Sequence, residues 1–274
     1  MAGAGTMGSG IALAAAQAAF QVVLFDTNEA VLDKAKDAIH KNLQFLTDKN
    51  KITVGEKADI FNRIHFTATI NDCVADLVIE AIIEKVSAKT ELFNKLSAIN
   101  ENACIFASNT SSLSISELQA EIAGPERVAG MHFFNPAHVM KLVEIIKGAH
   151  TSDDVILKLT KLTVKLGKAP VICKDVPGFI VNRVARHYYL EAMRLVESGI
   201  ATFENVDDTM EATGFKMGPF RLMDLIGMDI NLAVSESLYA ALDQPERLKP
   251  SSLQIDKVGK GELGRKSGKG FYNY

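Results

Sequence analysis

The chain has 274 residues, 47% hydrophobic and 23% charged, with a formal net charge of −3 and a pI near 6.1. That length and composition can bury one large core or two ordinary ones. The charge balance carries no basic bias of the kind that nucleic acid or an anionic membrane demands. No segment is long and apolar enough to span a bilayer. Cys73, Cys104 and Cys173 stand far apart in apolar sequence, without metal-ligand spacing, as reduced core thiols of a cytoplasmic protein would. The apolar stretch 11–20 lacks the positive flank of a targeting signal, since no Lys or Arg precedes Lys34.

Gly3-Ala4-Gly5-Thr6-Met7-Gly8 opens the sequence and leads into an alanine-rich helical stretch over 9–20, then a strand over 21–26 that ends in Asp26. A dinucleotide site needs these parts: Gly3 for the tight turn, Gly5 for close approach of the pyrophosphate, Gly8 for helix packing, and a helix N-terminus facing the phosphates. Asp26 would accept hydrogen bonds from the adenosine ribose and repel a 2′-phosphate, which selects NAD. One part is nearly missing. A central first strand should precede the first glycine, and only Met1 and Ala2 stand there. The expectation is that residues before Met1 complete the strand; the alternative is that Met1 and Ala2, with a rearranged neighbour, close the gap.

Asn28 caps a long helical run to Phe45, and a second helix over 55–63 completes a polar hairpin, residues 28–63, carrying Lys49, Lys51 and Lys57 near its turn. Strand patterns follow at 64–67, 76–81 and 103–107, with a helix over 84–99 between the last two. This alternation specifies a doubly wound, mostly parallel α/β sheet of Rossmann type, whose ligands sit at the carboxyl ends of the strands. Those ends carry Asp26, Glu80, the hydroxyl-rich turn 108–112 and His132. For most hydroxyls of that turn the expected work is to cap the helix starting near Ser114.

His132 closes an apolar strand over 127–133, and Glu144 lies inside a second apolar run over 141–146, where a carboxylate needs a partner. A carboxylate on one ring nitrogen of His132 would fix the tautomer and leave the other as a general base. The plain reading is a core histidine beside an unrelated glutamate. A capped helix over 152–167 and a strand over 168–173 end the α/β part. After 174–178 every segment is helical, which sets the expected boundary at residues 1–175 and 176–274. The helix over 177–198, apolar on most sides, reads as a domain core or a subunit interface. Asn182 lies early in it.

Together, G-A-G-T-M-G at Gly3, A-S-N-T-S-S at Ala107, H-F-F-N-P at His132, M-K-L-V-E at Met140 and P-G-F-I-V-N-R at Pro177 closely resemble the 3-hydroxyacyl-CoA dehydrogenase family, bacterial 3-hydroxybutyryl-CoA members most of all. The resemblance runs over nearly the whole chain. It implies that His132 is the general base, that Glu144 holds it, and that Ser111 and Asn182 bind the oxygens of an acyl-CoA substrate. It implies cofactor contacts at Gly3, Gly5, Thr6, Met7, Gly8 and Asp26, nicotinamide contacts at Glu84, Lys89, Ser111 and Asn135, and a CoA-phosphate contact at Lys49. The implied chemistry is reversible hydride transfer between C3 of an (S)-3-hydroxyacyl-CoA and NAD, in a homodimer joined by the helical half, with no metal. The alternatives are a dehydrogenase of the same fold acting on a free hydroxy acid, and a nucleotide-binding relative without catalysis.

Overall fold

Residues Met1–Tyr274 are all described by a computed structural model. The chain folds as two units, residues 1–176 and 177–274.

The first unit begins with the glycine loop and α1 (Thr6–Gln17), followed by β1 (Val22–Phe25). The hairpin expected over 28–63 is α2 (Glu29–Asp48) and α3 (Val54–Asn62). Asn28 caps α2 by accepting from the Ala30 N–H, and Thr53 with Glu56 forms a reciprocal capping box on α3. The remaining elements are β2 (Ile64–Thr67), β3 (Leu77–Glu80), α4 (Val86–Ile99), β4 (Ile105–Ser108), α5 (Ile115–Gln119), β5 (Val128–Phe133), β6 (Leu142–Lys147), α6 (Asp153–Lys165) and β7 (Ala169–Lys174).

β1 pairs with β2 in parallel, and β3 to β7 form a second run in chain order. Ala2 joins them, bridging Phe25 on one side and Glu80 on the other, both in parallel. Its N–H donates to the Ile79 carbonyl and its carbonyl accepts from Ala81, both at 2.8 Å. Met1 and Ala2 thus stand where the first strand was expected, at the end of the gap nearest the glycine loop. Farther back, between Val22–Val23 and Leu77–Val78, the two strand edges line a cavity of about 710 Å³ floored by Ile11, Leu159 and Leu162.

All pairings are parallel except β5 with β6. Every residue of β5 is buried, as expected of a strand with a neighbour on each side and helices over its faces. The register of the antiparallel pair sets His132 directly opposite Glu144.

The second unit is helical: α7 (Val181–Glu197), α8 (Phe203–Ala212), α9 (Pro219–Ile226), α10 (Met228–Ala241) and α11 (Ser252–Gly259). Its core gathers Tyr189, Leu190, Met193, Phe220, Met223 and Met228. Helix α7 is less apolar all round than its composition suggests. Arg186 lies on its buried face, while Ile180, just before it, and Val184 are 41% and 67% exposed. The last residues fold back onto buried acids: Phe271 and Tyr272 donate backbone N–H groups to the Asp224 carboxylate at 3.0 and 2.9 Å, and the Tyr272 hydroxyl reaches Asp207 at 2.8 Å.

Candidate active site

The glycine loop lies at the carboxyl ends of β1 and β3. Gly3 has φ +96° and a Cβ there would meet the Ala81 carbonyl oxygen at 2.6 Å, while a Cβ on Gly8 would stand 1.8 Å from the Gly3 carbonyl oxygen. Both positions therefore exclude a side chain. A Cβ on Gly5 would meet nothing within 4 Å, so the space that its missing side chain leaves opens away from the protein. Gly5 also precedes α1 without any side-chain cap, which leaves the first N–H groups of the helix for an anion. Asp26 Oδ2 accepts from the Ala4 N–H at 2.9 Å and Oδ1 from the Asn28 N–H at 3.0 Å, so its carboxylate is tied to the loop it is expected to serve. Asn135, next to a cis Pro136, joins Gly5, Thr6, Ser9, Lys34 and Asn42 around a cavity of about 380 Å³. These features fit a dinucleotide: a phosphate cradle, a ribose acceptor and open space beside them.

A buried charge cluster supports the turn after β4. Lys89, 1% exposed, holds Glu80 at 2.6 Å and Glu84 at 3.1 Å. Glu80 also accepts from the Ile82 N–H at 2.6 Å and from Ser108 Oγ at 2.7 Å. Glu84 accepts from Thr110 Oγ1 at 2.5 Å, from the Ser111 N–H at 3.1 Å and from Ser112 Oγ at 3.1 Å. Burial pushes the Glu84 carboxyl up, but the Lys89 ammonium and the bonds from Thr110 and Ser111 outweigh it and hold the group below its ordinary value.

One expectation changes here. The hydroxyls of Ser108, Thr110 and Ser112 do not cap the next helix; they hold Glu80 and Glu84, and Ser114 is the cap, accepting from the Glu117 N–H at 3.2 Å. Lys89, expected as a nicotinamide contact, has its ammonium between the Glu80 and Glu84 carboxylates.

His132 is buried and its Nδ1 lies 2.8 Å from Glu144 Oε2, itself 1% exposed. With no water to compete, this contact fixes the imidazole and turns Nε2 away from the carboxylate. The Phe134 ring, centroid 4.5 Å from that of His132, bounds the other side. Asn109 ties this strand to the hydroxyl turn, its Oδ1 accepting from the Phe133 N–H at 2.9 Å. Sequence reasoning does not single out Asn109. The available signal is its place inside the A-S-N-T-S-S motif, but its partner lies 24 residues on.

Lys49 caps the end of α2, exposed, with its ammonium 5.9 Å from the centroid of the exposed Phe45 ring. Asn182 stands in the first turn of α7 and belongs to the second unit. No group of His, Cys, Asp and Glu is arranged to hold a metal ion, and no helix is long and apolar enough to cross a membrane.

A phosphate-cradling loop, a ribose acceptor and a carboxylate-held imidazole on one mostly parallel sheet define a dinucleotide-dependent oxidoreductase. Residues 1–176 match the family description "3-hydroxyacyl-CoA dehydrogenase, NAD binding domain" and residues 178–274 match "3-hydroxyacyl-CoA dehydrogenase, C-terminal domain". The chain belongs to the 3-hydroxyacyl-CoA dehydrogenase family. Among curated relatives, it is 45% identical to the 3-hydroxyadipyl-CoA dehydrogenase of Escherichia coli K12, over 99% of this chain but 58% of that one. It is 43% identical to the probable 3-hydroxybutyryl-CoA dehydrogenase of Deinococcus radiodurans, over 99% of this chain and 98% of that one. Among solved structures it resembles (S)-3-hydroxybutyryl-CoA dehydrogenase from Ralstonia eutropha, with a TM-score of 0.95, 39% identity, and coverage of 100% of this chain and 97% of that one.

Proposed function

We propose that the protein interconverts short-chain (S)-3-hydroxyacyl-CoA thioesters, 3-hydroxybutyryl-CoA among them, with their 3-oxoacyl forms, using NAD. The observation that carries this reading is the buried His132–Glu144 contact at 2.8 Å, beside the turn that carries Ser111. An Nδ1–H donated to Glu144 leaves the Nε2 lone pair to take the proton of the substrate's 3-hydroxyl, and the carboxylate steadies the imidazolium that results. Bound NAD supplies the hydride acceptor. Gly3, Gly5, Thr6, Met7 and Gly8 hold the pyrophosphate, Asp26 the ribose, and Glu84, Ser111 and Asn135 the nicotinamide end, with Lys89 acting behind Glu84. Ser111 and Asn182 bind the oxygen atoms of the substrate, and Lys49 a phosphate of CoA. In reduction the same imidazolium returns its proton to the alkoxide oxygen.

The helical unit is the surface for a homodimer. Val184, Ile200, Phe215, Leu225 and Ile230 are each about half exposed or more, apolar surface of the kind that a subunit interface covers. A cytoplasmic location fits the three unpaired thiols. The deciding assay follows NADH oxidation with acetoacetyl-CoA and, separately, with free acetoacetate. Turnover of the thioester alone supports the reading. Turnover of the free acid alone, or of neither, sinks it.

A further inference from the structure

The carboxyl ends of β3, β4 and β5 follow the glycine loop in the order in which a dinucleotide laid from that loop toward His132 would cross them. The loop after β3 comes first. It packs on the glycine loop itself, where a Cβ on Gly3 would meet the Ala81 carbonyl oxygen at 2.6 Å and Ile82 Cγ2 at 3.1 Å. It then carries Glu84, whose carboxylate accepts from the Ser111 N–H in the turn after β4. The stretch between the phosphate cradle and the imidazole is therefore bordered by Glu84 and Ser111. That border is charged. Glu80 and Glu84 are two carboxylates around one ammonium, Lys89, at 2.6 and 3.1 Å, so the cluster keeps one surplus negative charge. The surplus lies toward the open side, because the Glu84 side chain is 38% exposed while those of Lys89 and Glu80 are 1% and 0%. Glu80 uses its oxygens inside the fold, on Lys89, the Ile82 N–H and Ser108 Oγ. Thr110 Oγ1, the Ser111 N–H and Ser112 Oγ all donate to a single oxygen of Glu84, its Oε1, which fixes that carboxylate in position.

NAD⁺ and NADH differ by one hydride, and the nicotinamide ring is a cation in the first and neutral in the second. A negative charge held in place beside that ring separates the two forms by charge where shape cannot. We infer that the Glu80–Lys89–Glu84 cluster, with its surplus charge on Glu84, is an electrostatic selector for the oxidised nicotinamide, strengthening the binding of NAD⁺ relative to NADH. The inference rests on the proposed place of the nicotinamide beside Glu84 and Ser111, and deepens that reading. In reduction of a 3-oxoacyl group, Glu84 faces the cation that remains once the hydride has passed to C3 and His132 has given its proton to the oxygen. The cluster thus displaces the equilibrium on the protein toward 3-hydroxyacyl thioester with NAD⁺, and leaves the equilibrium in solution as it was.

The test measures Kd for NAD⁺ and for NADH in the absence of substrate, by titration calorimetry at one pH and ionic strength, in wild type and in Glu84→Gln, Glu84→Ala and Glu84→Asp. The quantity read is the ratio of the NADH Kd to the NAD⁺ Kd. A loosened turn weakens both forms alike and leaves the ratio, whereas a lost charge changes it. Glu84→Gln and Glu84→Ala lower the ratio by about 5- to 50-fold, the effect of one partly screened charge near the ring. Glu84→Asp keeps the charge on a shorter stem, and its ratio stays within about threefold of wild type. An unmoved ratio in Glu84→Gln overturns the inference. So does a Glu84→Asp ratio that falls as far as that of Glu84→Gln, since hydrogen-bond geometry would then decide it. Should Glu84→Gln not fold, because its amide faces the Lys89 ammonium, Glu84→Ala decides by the same ratio. If wild type binds neither form, the proposed cofactor site falls and takes this inference with it. Both forms bound, with a ratio that no variant moves, refute this inference alone.

Discussion

Replacing Glu144 by Gln removes a charge and keeps the shape, so it separates what the carboxylate does electrically from what it does by packing. Glu144 is 1% exposed and its Oε2 stands 2.8 Å from His132 Nδ1, so bulk water does not replace the lost charge. The glutamine carbonyl can still accept from Nδ1–H, which preserves the tautomer. What disappears is the difference between a charged and a neutral acceptor for the imidazolium, about 1–2 kcal/mol from hydrogen bonding alone. Coulomb attraction across such a contact, about 4 kcal/mol at an effective dielectric of 20, includes that difference and sets the upper bound. A net loss of about 2–4 kcal/mol lowers kcat by about 30- to 1,000-fold at 1.4 kcal/mol per tenfold. The assay is steady-state turnover of 3-hydroxybutyryl-CoA with NAD, with NADH affinity by fluorescence and Tm measured beside it. Cofactor affinity and Tm stay near wild type, because Glu144 stands within β6, outside the glycine loop and the hydroxyl turn. A Glu144→Gln enzyme with wild-type kcat would refute the pairing as the source of catalysis and leave the carboxylate as strand decoration.

His132→Gln lowers kcat by about 10²–10⁴-fold with cofactor binding intact, the contribution of a positioned general base; turnover within tenfold of wild type would exclude His132 from the proton transfer. Asp26, tied to the glycine loop through Ala4, disfavours a 2′-phosphate, so kcat/KM favours NADH over NADPH, and the opposite ratio would mean the carboxylate does not meet the ribose. Glu84 is held below its ordinary value, so its stabilising contribution is full above the unfolded carboxylate pKa of about 4.3 and is lost as pH falls through the depressed folded value. Lys89→Met abolishes that contribution. The Tm gap between wild type and variant is therefore full above about pH 4.3 and narrows as pH falls below it, and Tm curves that stay parallel from about pH 5 down to about pH 2 would contradict the charge cluster. Light scattering at micromolar concentration returns twice the chain mass of 29.7 kDa if the helical unit is a dimer surface, and a single chain mass if it is not.

Local chemistry was legible in the sequence. The glycine spacing, the acid at the end of β1, the caps Asn28 and Ser152 and the alternation of strand and helix each act over a few residues, where sterics and nearby hydrogen bonds decide the outcome. They specified the doubly wound sheet, the helical second half, the cofactor and the candidate base. Cross-strand and cross-helix placement was not legible, because no local pattern encodes it. His132 and Glu144 are 12 residues apart in sequence, and only the antiparallel register of β5 and β6 sets them face to face; a slip of one residue would turn Glu144 to the other side of the sheet. Nothing local to Lys89 marks it for burial, and the closeness of β3 and α4 encloses it between Glu80 and Glu84. Two N-terminal residues looked too few for a strand, yet Ala2 finds ladder partners on both sides. Arg186, one more charge in an apolar helix by sequence, becomes a buried cation only when α10 and α11 pack over it. In each case the deciding energy is that of a polar group removed from water, and which groups those are is a property of the packed chain.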